Sequence, residues 1–124
     1  LLQYSTKQVK NMMPEEGTPS DKLKNVLDYI EIHYAKTISV EELAKICCFS
    51  EYHFMRFFKK HMNMTCVEYV NNVRLEKAVE LFEQGNTSIL EVSLSVGFHN
   101  LSYFHRAFKN KYGMTPRSFI KELK

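Results

Sequence analysis

The sequence predicts an all-α fold of about seven helices, and three observations predict it. Apolar residues recur at three- and four-residue spacing along most of the 124 positions, and no alternating strand pattern competes. Ser or Thr is followed three residues later by Glu at Ser39/Glu42, Thr65/Glu68 and Ser88/Glu91, each immediately before or inside a helical apolar pattern. Finally, Phe54-Met55-Arg56-Phe57-Phe58-Lys59 returns fifty residues later as Phe104-His105-Arg106-Ala107-Phe108-Lys109, and both copies run on into Met-Thr, at Met64-Thr65 and Met114-Thr115.

The elements follow in order. Residues 1–19 hold Pro14, Gly17 and Pro19 and only a short amphipathic stretch, so they read as a linker or the tail of a preceding domain. Ser20 is placed to cap a bracing helix that runs to about Ala35, with Leu23, Val26, Leu27, Ile30 and Tyr34 on its apolar face. Two equivalent short helices then open at the first and third capping boxes, over 39–47 and 88–96. A tight turn follows each, Cys48-Phe49-Ser50 or Gly97-Phe98-His99-Asn100, and leads into the Phe/Arg/Lys helix. The second turn is one residue longer, which moves the repeat from 49 to 50.

Residues 65–84 read as one helix with apolar residues on more than one side (Val67, Val70, Val73, Leu75, Ala78, Val79, Phe82), ended by Gly85 in a left-handed conformation. At ~1.5 Å per residue such a helix spans about 30 Å, close to the ~34 Å between successive major-groove faces of a duplex. The last helix begins at Thr115, with Pro116 in the first turn, where a missing N–H costs nothing. The expected organisation is a first subdomain over 20–64, a linker helix over 65–84 and a second subdomain over 85–124.

Composition narrows the function. A net charge of +3 argues only weakly for a polyanionic partner. Its distribution argues more strongly: residues 99–112 carry Arg106, Lys109 and Lys111 with no acid, and residues 50–63 carry Arg56, Lys59 and Lys60 against Glu51 alone. No apolar run approaches the ~18 residues of a membrane span, and no signal peptide is evident. Cys47, Cys48 and Cys66 are an odd number without metal-type spacing, as expected of reduced thiols in a cytoplasm. The chain starts at Leu1 without an initiator Met and is expected to be cut from a longer protein.

A short capped helix, a tight turn and a second helix with one apolar face make a helix-turn-helix, whose second helix enters the DNA major groove. In the first unit Phe54, Phe57 and Phe58 face inward and leave Tyr52, Met55, Arg56 and Lys59 outside. In the second, Phe104, Ala107 and Phe108 face inward and leave Ser102, His105, Arg106 and Lys109. One such cationic face alone reads as an ordinary solvated surface. Two copies at matching stations, each behind the same cap and turn, point to double-stranded DNA. Arg56 and Arg106 are expected to bond guanine edges. Tyr52 and Met55 supply apolar contacts, Ser102 and His105 hydrogen bonds. Ser50, Lys59, Lys60, Asn100, Lys109 and Lys111 are assigned to phosphates.

These residues carry a resemblance. Val96-Gly97-Phe98, Ser102-Tyr103-Phe104-His105-Arg106-Ala107-Phe108-Lys109 and Tyr112-Gly113-Met114-Thr115-Pro116 are similar to the signature of the C-terminal DNA-binding domain of AraC/XylS regulators, and Arg74 to Leu81 resembles the family's linker helix. The resemblance covers about residues 20–122. It implies two homeodomain-like helix-turn-helix subdomains and two recognition helices in successive major grooves of promoter DNA. It also implies an upstream sensory or receiver domain, contact with RNA polymerase and, by family habit, activation. Ser93 stands where the family commonly has Ala, and Phe119-Ile120 replaces Tyr-Arg, so no DNA role is assigned there.

Catalysis finds no support in the sequence, which has four scattered glycines and no nucleophile-base constellation. His53, His61 and the three cysteines are of metal-binding type but wrongly spaced for closed zinc sites, so neither metal nor cofactor is expected. A helical protein-binding module with Tyr52 and Met55 as anchors is the rival reading.

Overall fold

The computed structural model describes residues 17–124, so most of the expected N-terminal linker lies outside the described residues. Among the described residues there are seven helices and no strand: α1 (Pro19–His33), α2 (Val40–Cys47), α3 (Glu51–Met62), α4 (Cys66–Glu83), α5 (Ile89–Ser95), α6 (Leu101–Tyr112) and α7 (Pro116–Leu123). They fall into two compact units. The first combines residues 17–33 with Ile38–Cys66, and the second combines Tyr34–Thr37 with Val67–Lys124.

The cap of α1 differs from expectation. Thr18, not Ser20, does the capping: its Oγ1 accepts the Asp21 N–H at 3.1 Å, while the Asp21 carboxylate accepts from the Thr18 hydroxyl at 2.9 Å. Pro19 is already helical, because a first-turn residue needs no N–H, and this moves the cap one residue upstream of it. The helix ends at His33, two residues short of the expected end.

In the first unit Val26, Ile30, Leu43, Ala44, Phe54 and Phe58 form the buried apolar set. Lys22 is buried with them. Its Nζ donates to the Cys47 carbonyl at 2.8 Å and lies 4.8 Å from the centre of the Phe49 ring, so the charge is satisfied by a helix C-terminus and an aromatic face. Burial pushes the adjacent Cys47 thiol up to about 11. Ser39 and Glu42 form the predicted reciprocal capping box on α2, and Glu42 also accepts the Tyr29 hydroxyl at 2.7 Å.

In the second unit the core comprises Leu75, Ala78, Phe82, Val92, Val96, Phe98, Phe104 and Phe108, with Phe119 and Ile120 packed against it. Phe119 meets both Phe82 and Phe108, which explains an apolar pair near the C-terminus in place of a cation. Along α4 Val70, Val73, Leu75, Ala78 and Phe82 are buried as expected and Val79 is half-buried, whereas Val67 is 57% exposed. The helix closes as predicted: Gly85 takes φ +104°, its N–H donates to the Phe82 carbonyl, and the Asn86 N–H donates to that of Leu81. Ser88 caps α5 by accepting the Glu91 N–H, but the N–H of Ser88 itself donates to Asn86, so the expected reciprocal bond from Glu91 is replaced. Buried Ser93 donates its hydroxyl to the Leu90 carbonyl at 2.8 Å, which satisfies the polar atom within its own helix.

Candidate nucleic-acid interface

Each unit builds a helix-turn-helix from the same parts. After α2 the chain turns at Cys48, whose backbone is left-handed (φ 58°). Its N–H reaches the Lys45 carbonyl and the Phe49 N–H reaches that of Ala44. After α5, Gly97 takes the same station (φ 108°), with its N–H on the Leu94 carbonyl and the Phe98 N–H on that of Ser93. Both turns are the same double-bonded helix stop. The extra residue of the second turn, His99, falls after this stop and before the cap. Ser50 then caps α3 by accepting the His53 N–H at 3.1 Å, and Asn100 caps α6 by accepting the Tyr103 N–H at 2.8 Å.

Phe54, Phe57 and Phe58 of α3 are buried, as are Phe104 and Phe108 of α6. This anchors the outer faces where the wheel puts them. Tyr52 (67%), Met55 (47%), Arg56, Lys59 and Lys60 are exposed on α3, and Ser102, Arg106 and Lys109 on α6. His105 and Ala107 are half-buried. Apart from Lys111, which pairs with Glu76 of α4, the residues predicted to act together on each helix share one surface of that helix.

The two arginines are held differently. Arg56 Nη1 donates to the Tyr52 hydroxyl at 3.0 Å, and its guanidinium carbon lies 5.6 Å from the centre of that ring. The tyrosine is four residues back on the same helix face. Arg106 instead lies over Tyr103, three residues back, at 5.8 Å. Tyr103 accepts a 2.7 Å hydrogen bond from Asn71 Nδ2 of α4. Neither Tyr103 nor Asn71 is among the contacts that helical spacing predicts. The signature contains Tyr103 one residue before the inward Phe104, but only the fold brings Asn71 to it.

Lys111 is less available than its station suggests. Its Nζ lies 3.8 Å from the Glu76 carboxylate and 5.6 Å from the centre of the Tyr112 ring. Burial, reinforced by Glu76, pushes the Tyr112 hydroxyl up to about 12, so the ring stays neutral beside the ammonium. Lys59 and Lys109 lie in the last turns of α3 and α6, where a cation also favours the helix dipole.

A second layer supports the turns. Arg74 Nε donates to the Tyr34 carbonyl at 2.6 Å and Nη2 to that of Lys36 at 2.8 Å, while the guanidinium carbon lies 5.9 Å from the centre of the Phe98 ring. Burial lowers the pKa of this guanidinium from its usual value, and the two carbonyls compensate its lost hydration. In the first unit Lys22 occupies the comparable place over Phe49. His53 stacks on Phe49 with ring centres 3.9 Å apart, and the His61 ring is tilted against that of Phe57 at 4.7 Å. Among the described residues no three His, Cys, Asp or Glu side chains converge as a metal site would require, and no helix is long and apolar enough to cross a membrane.

Residues 43–122 match the family model described as a helix-turn-helix domain. The chain is 35% identical over 106 residues to an uncharacterised HTH-type transcriptional regulator, YdeC, of Bacillus subtilis, covering 86% of this chain and 36% of that protein. It is 36% identical over 105 residues to the bifunctional transcriptional activator/DNA repair enzyme AdaA of the same organism, covering 85% of this chain and 50% of that one. The chain thus spans half or less of these relatives. In fold it is similar to a probable AraC family transcriptional regulator from Rhodopseudomonas palustris (TM-score 0.77, 24% identity, 84% of this chain and 98% of that one). It is likewise similar to the DNA-binding domain of AdpA, solved in complex with a target DNA (TM-score 0.75, 23% identity, 81% and 90%). With two capped helix-turn-helix units, a match over most of its length and regulators as its relatives, the chain belongs to the AraC-type helix-turn-helix DNA-binding domains of bacterial transcription regulators.

Proposed function

We propose that this domain reads duplex DNA asymmetrically, with α3 and α6 in successive major grooves of one promoter site. The observation that carries the reading is the exposed arginine at the same station of two separately capped recognition helices. Arg56 and Arg106 bond guanine O6 and N7, each contributing roughly 1–3 kcal/mol of discrimination. Around Arg56, Tyr52 and Met55 favour apolar edges such as thymine methyls. Around Arg106, Ser102 and His105 favour hydrogen-bonding edges. Lys59, Lys60 and Lys109 meet phosphates, together with Ser50 and Asn100 at the helix starts, and Lys111 joins them by leaving Glu76.

The larger protein is a cytoplasmic bacterial regulator in which this non-catalytic module follows a sensory or receiver domain and acts on RNA polymerase as an activator. The partial coverage of longer relatives supports the additional domain. An activator among those relatives supports the sign of regulation.

Selection of bound duplexes from a random library, repeated with Arg56→Ala and Arg106→Ala, tests the readout. Each substitution is expected to relax base preference in a different half of the site, about one helical turn apart. Relaxation of the same half by both would refute the two-groove reading. A protein-docking module, the rival, predicts binding nearly indifferent to salt, whereas a DNA reader weakens steeply with it.

A further inference from the structure

The two recognition helices share a frame but not the means of aiming their arginines. On α6 the ring of Tyr103 is restrained at three places. Its hydroxyl accepts from Asn71 Nδ2 at 2.7 Å, its ring lies 6.0 Å from that of Phe98 at a 51° tilt, and its backbone N–H is tied to the Asn100 cap. Arg106, one turn on, lies over this ring. On α3 the station of Tyr103 is occupied by His53, which stacks on Phe49. Arg56 leans instead on Tyr52, which is among the most exposed large residues of the chain.

An arginine side chain has many rotamers, and ordering it at a base edge costs conformational entropy. Support from a ring that is itself held reduces the number of directions the guanidinium samples before DNA arrives. Asn71 comes from α4, outside the helix-turn-helix, and is 32 residues from Tyr103 in sequence. A residue outside the reading helix thus contacts the ring that lies beneath Arg106. Asn71 also lies three residues before Arg74, whose guanidinium sits over Phe98, so one side of α4 meets both Phe98 of the turn and Tyr103 of α6.

We infer that Asn71 and Tyr103 are positioning residues for Arg106, and that α6 is the pre-set reader while α3 is the adaptable one. This rests on Arg106 reading a base. Tyr103→Phe keeps the ring against Phe98 and under the guanidinium but removes the hydroxyl. Asn71→Ala removes the donor.

The experiment uses the 124-residue chain and duplexes recovered by it from a random library, with single-base variants at every position. Each substitution is expected to reduce discrimination by about two- to tenfold, the scale of one hydrogen bond, and only at the positions that Arg106→Ala relaxes. In an Arg106→Ala background neither substitution should reduce discrimination further, since a coupled pair is not additive. A general weakening across all sequences, or undiminished effects in the Arg106→Ala background, overturns the inference and identifies a merely structural contact. If Arg106→Ala itself leaves base preference unchanged, the base-readout assignment fails first and the inference with it. If Arg106→Ala relaxes preference while Tyr103→Phe and Asn71→Ala do not, only the positioning inference fails.

Discussion

Backbone conformation at four residues closes the helices that frame the reading faces. Cys48 and Asn63 have φ 58°, and the corresponding residues forty-nine and fifty positions later are Gly97 and Gly113. Asn tolerates this region because its short polar side chain can bond locally, whereas cysteine is not among the residue types that visit it routinely. Cys48→Gly is therefore expected to stabilise the domain by roughly 0.5–1 kcal/mol, the strain removed exceeding the extra freedom glycine gives the unfolded chain. The reverse change at Gly97 is more costly. An added Cβ would stand 2.7 Å from Arg74 Nε and 2.9 Å from the Tyr34 carbonyl oxygen, and the backbone there is left-handed as well. Gly97→Ala should destabilise by about 2 kcal/mol or more. Urea unfolding of the two variants, compared with the unmodified chain, measures both.

At the level of the helices, much was legible because the signals are local. Ser39 and Glu42, Thr115 and Pro116, and Gly85 announce ends through chemistry within four residues, and the structure bears out these ends. Thr18 escaped because Ser20 is an equally good capping type, and only the position of Pro19 decides between them. The burial of Lys22 was not legible either: a lysine on a helix reads as solvated, and its acceptors, the Cys47 carbonyl and the Phe49 ring, are 25 and 27 positions away. Tyr103 and Asn71 belong to the same class, since exposure and spacing describe a helix face but not what reaches it from another helix. By contrast, the outward stations of Tyr52, Arg56, Ser102 and Arg106 follow from helical period alone once the phenylalanines are assigned to the core.

The cap of α2 also makes a prediction at this scale. The Tyr29 hydroxyl, and then the Ser39 N–H, hold the Glu42 carboxyl below its ordinary value of 4.5. The fold therefore favours the ionised form. Its stabilising effect is complete above the ordinary carboxylate range and is lost as pH falls through that range toward the lowered folded value. Glu42→Gln should lower stability near neutral pH while flattening the loss as pH falls through and below the ordinary carboxylate range, as read from thermal unfolding across an acid pH series.

For the whole molecule, modest net charge conceals two cationic faces, so affinity should depend on salt far more than +3 suggests. Lys59→Ala and Lys109→Ala are each expected to reduce the slope of log affinity against log salt by about one, without altering base preference. Lys111→Ala should change it less, because reaching a phosphate requires leaving Glu76 and Tyr112. Binding titrations at several salt concentrations compare the three, and a shift in base preference for Lys59 or Lys109 would reassign that residue to readout.

The bonds from Arg74 to the carbonyls of Tyr34 and Lys36 have a consequence for modular engineering. Residues 34–37 belong to the second unit although they precede α2 and α3 in the chain. A cut before Val67 would detach this short strap and leave a half-buried guanidinium without its two acceptors. Exchanging reading heads between regulators would therefore require carrying the strap along with α5 and α6. The two units are interleaved in sequence, and a shuffled gene that ignores this would inherit a recognition helix without its foundation.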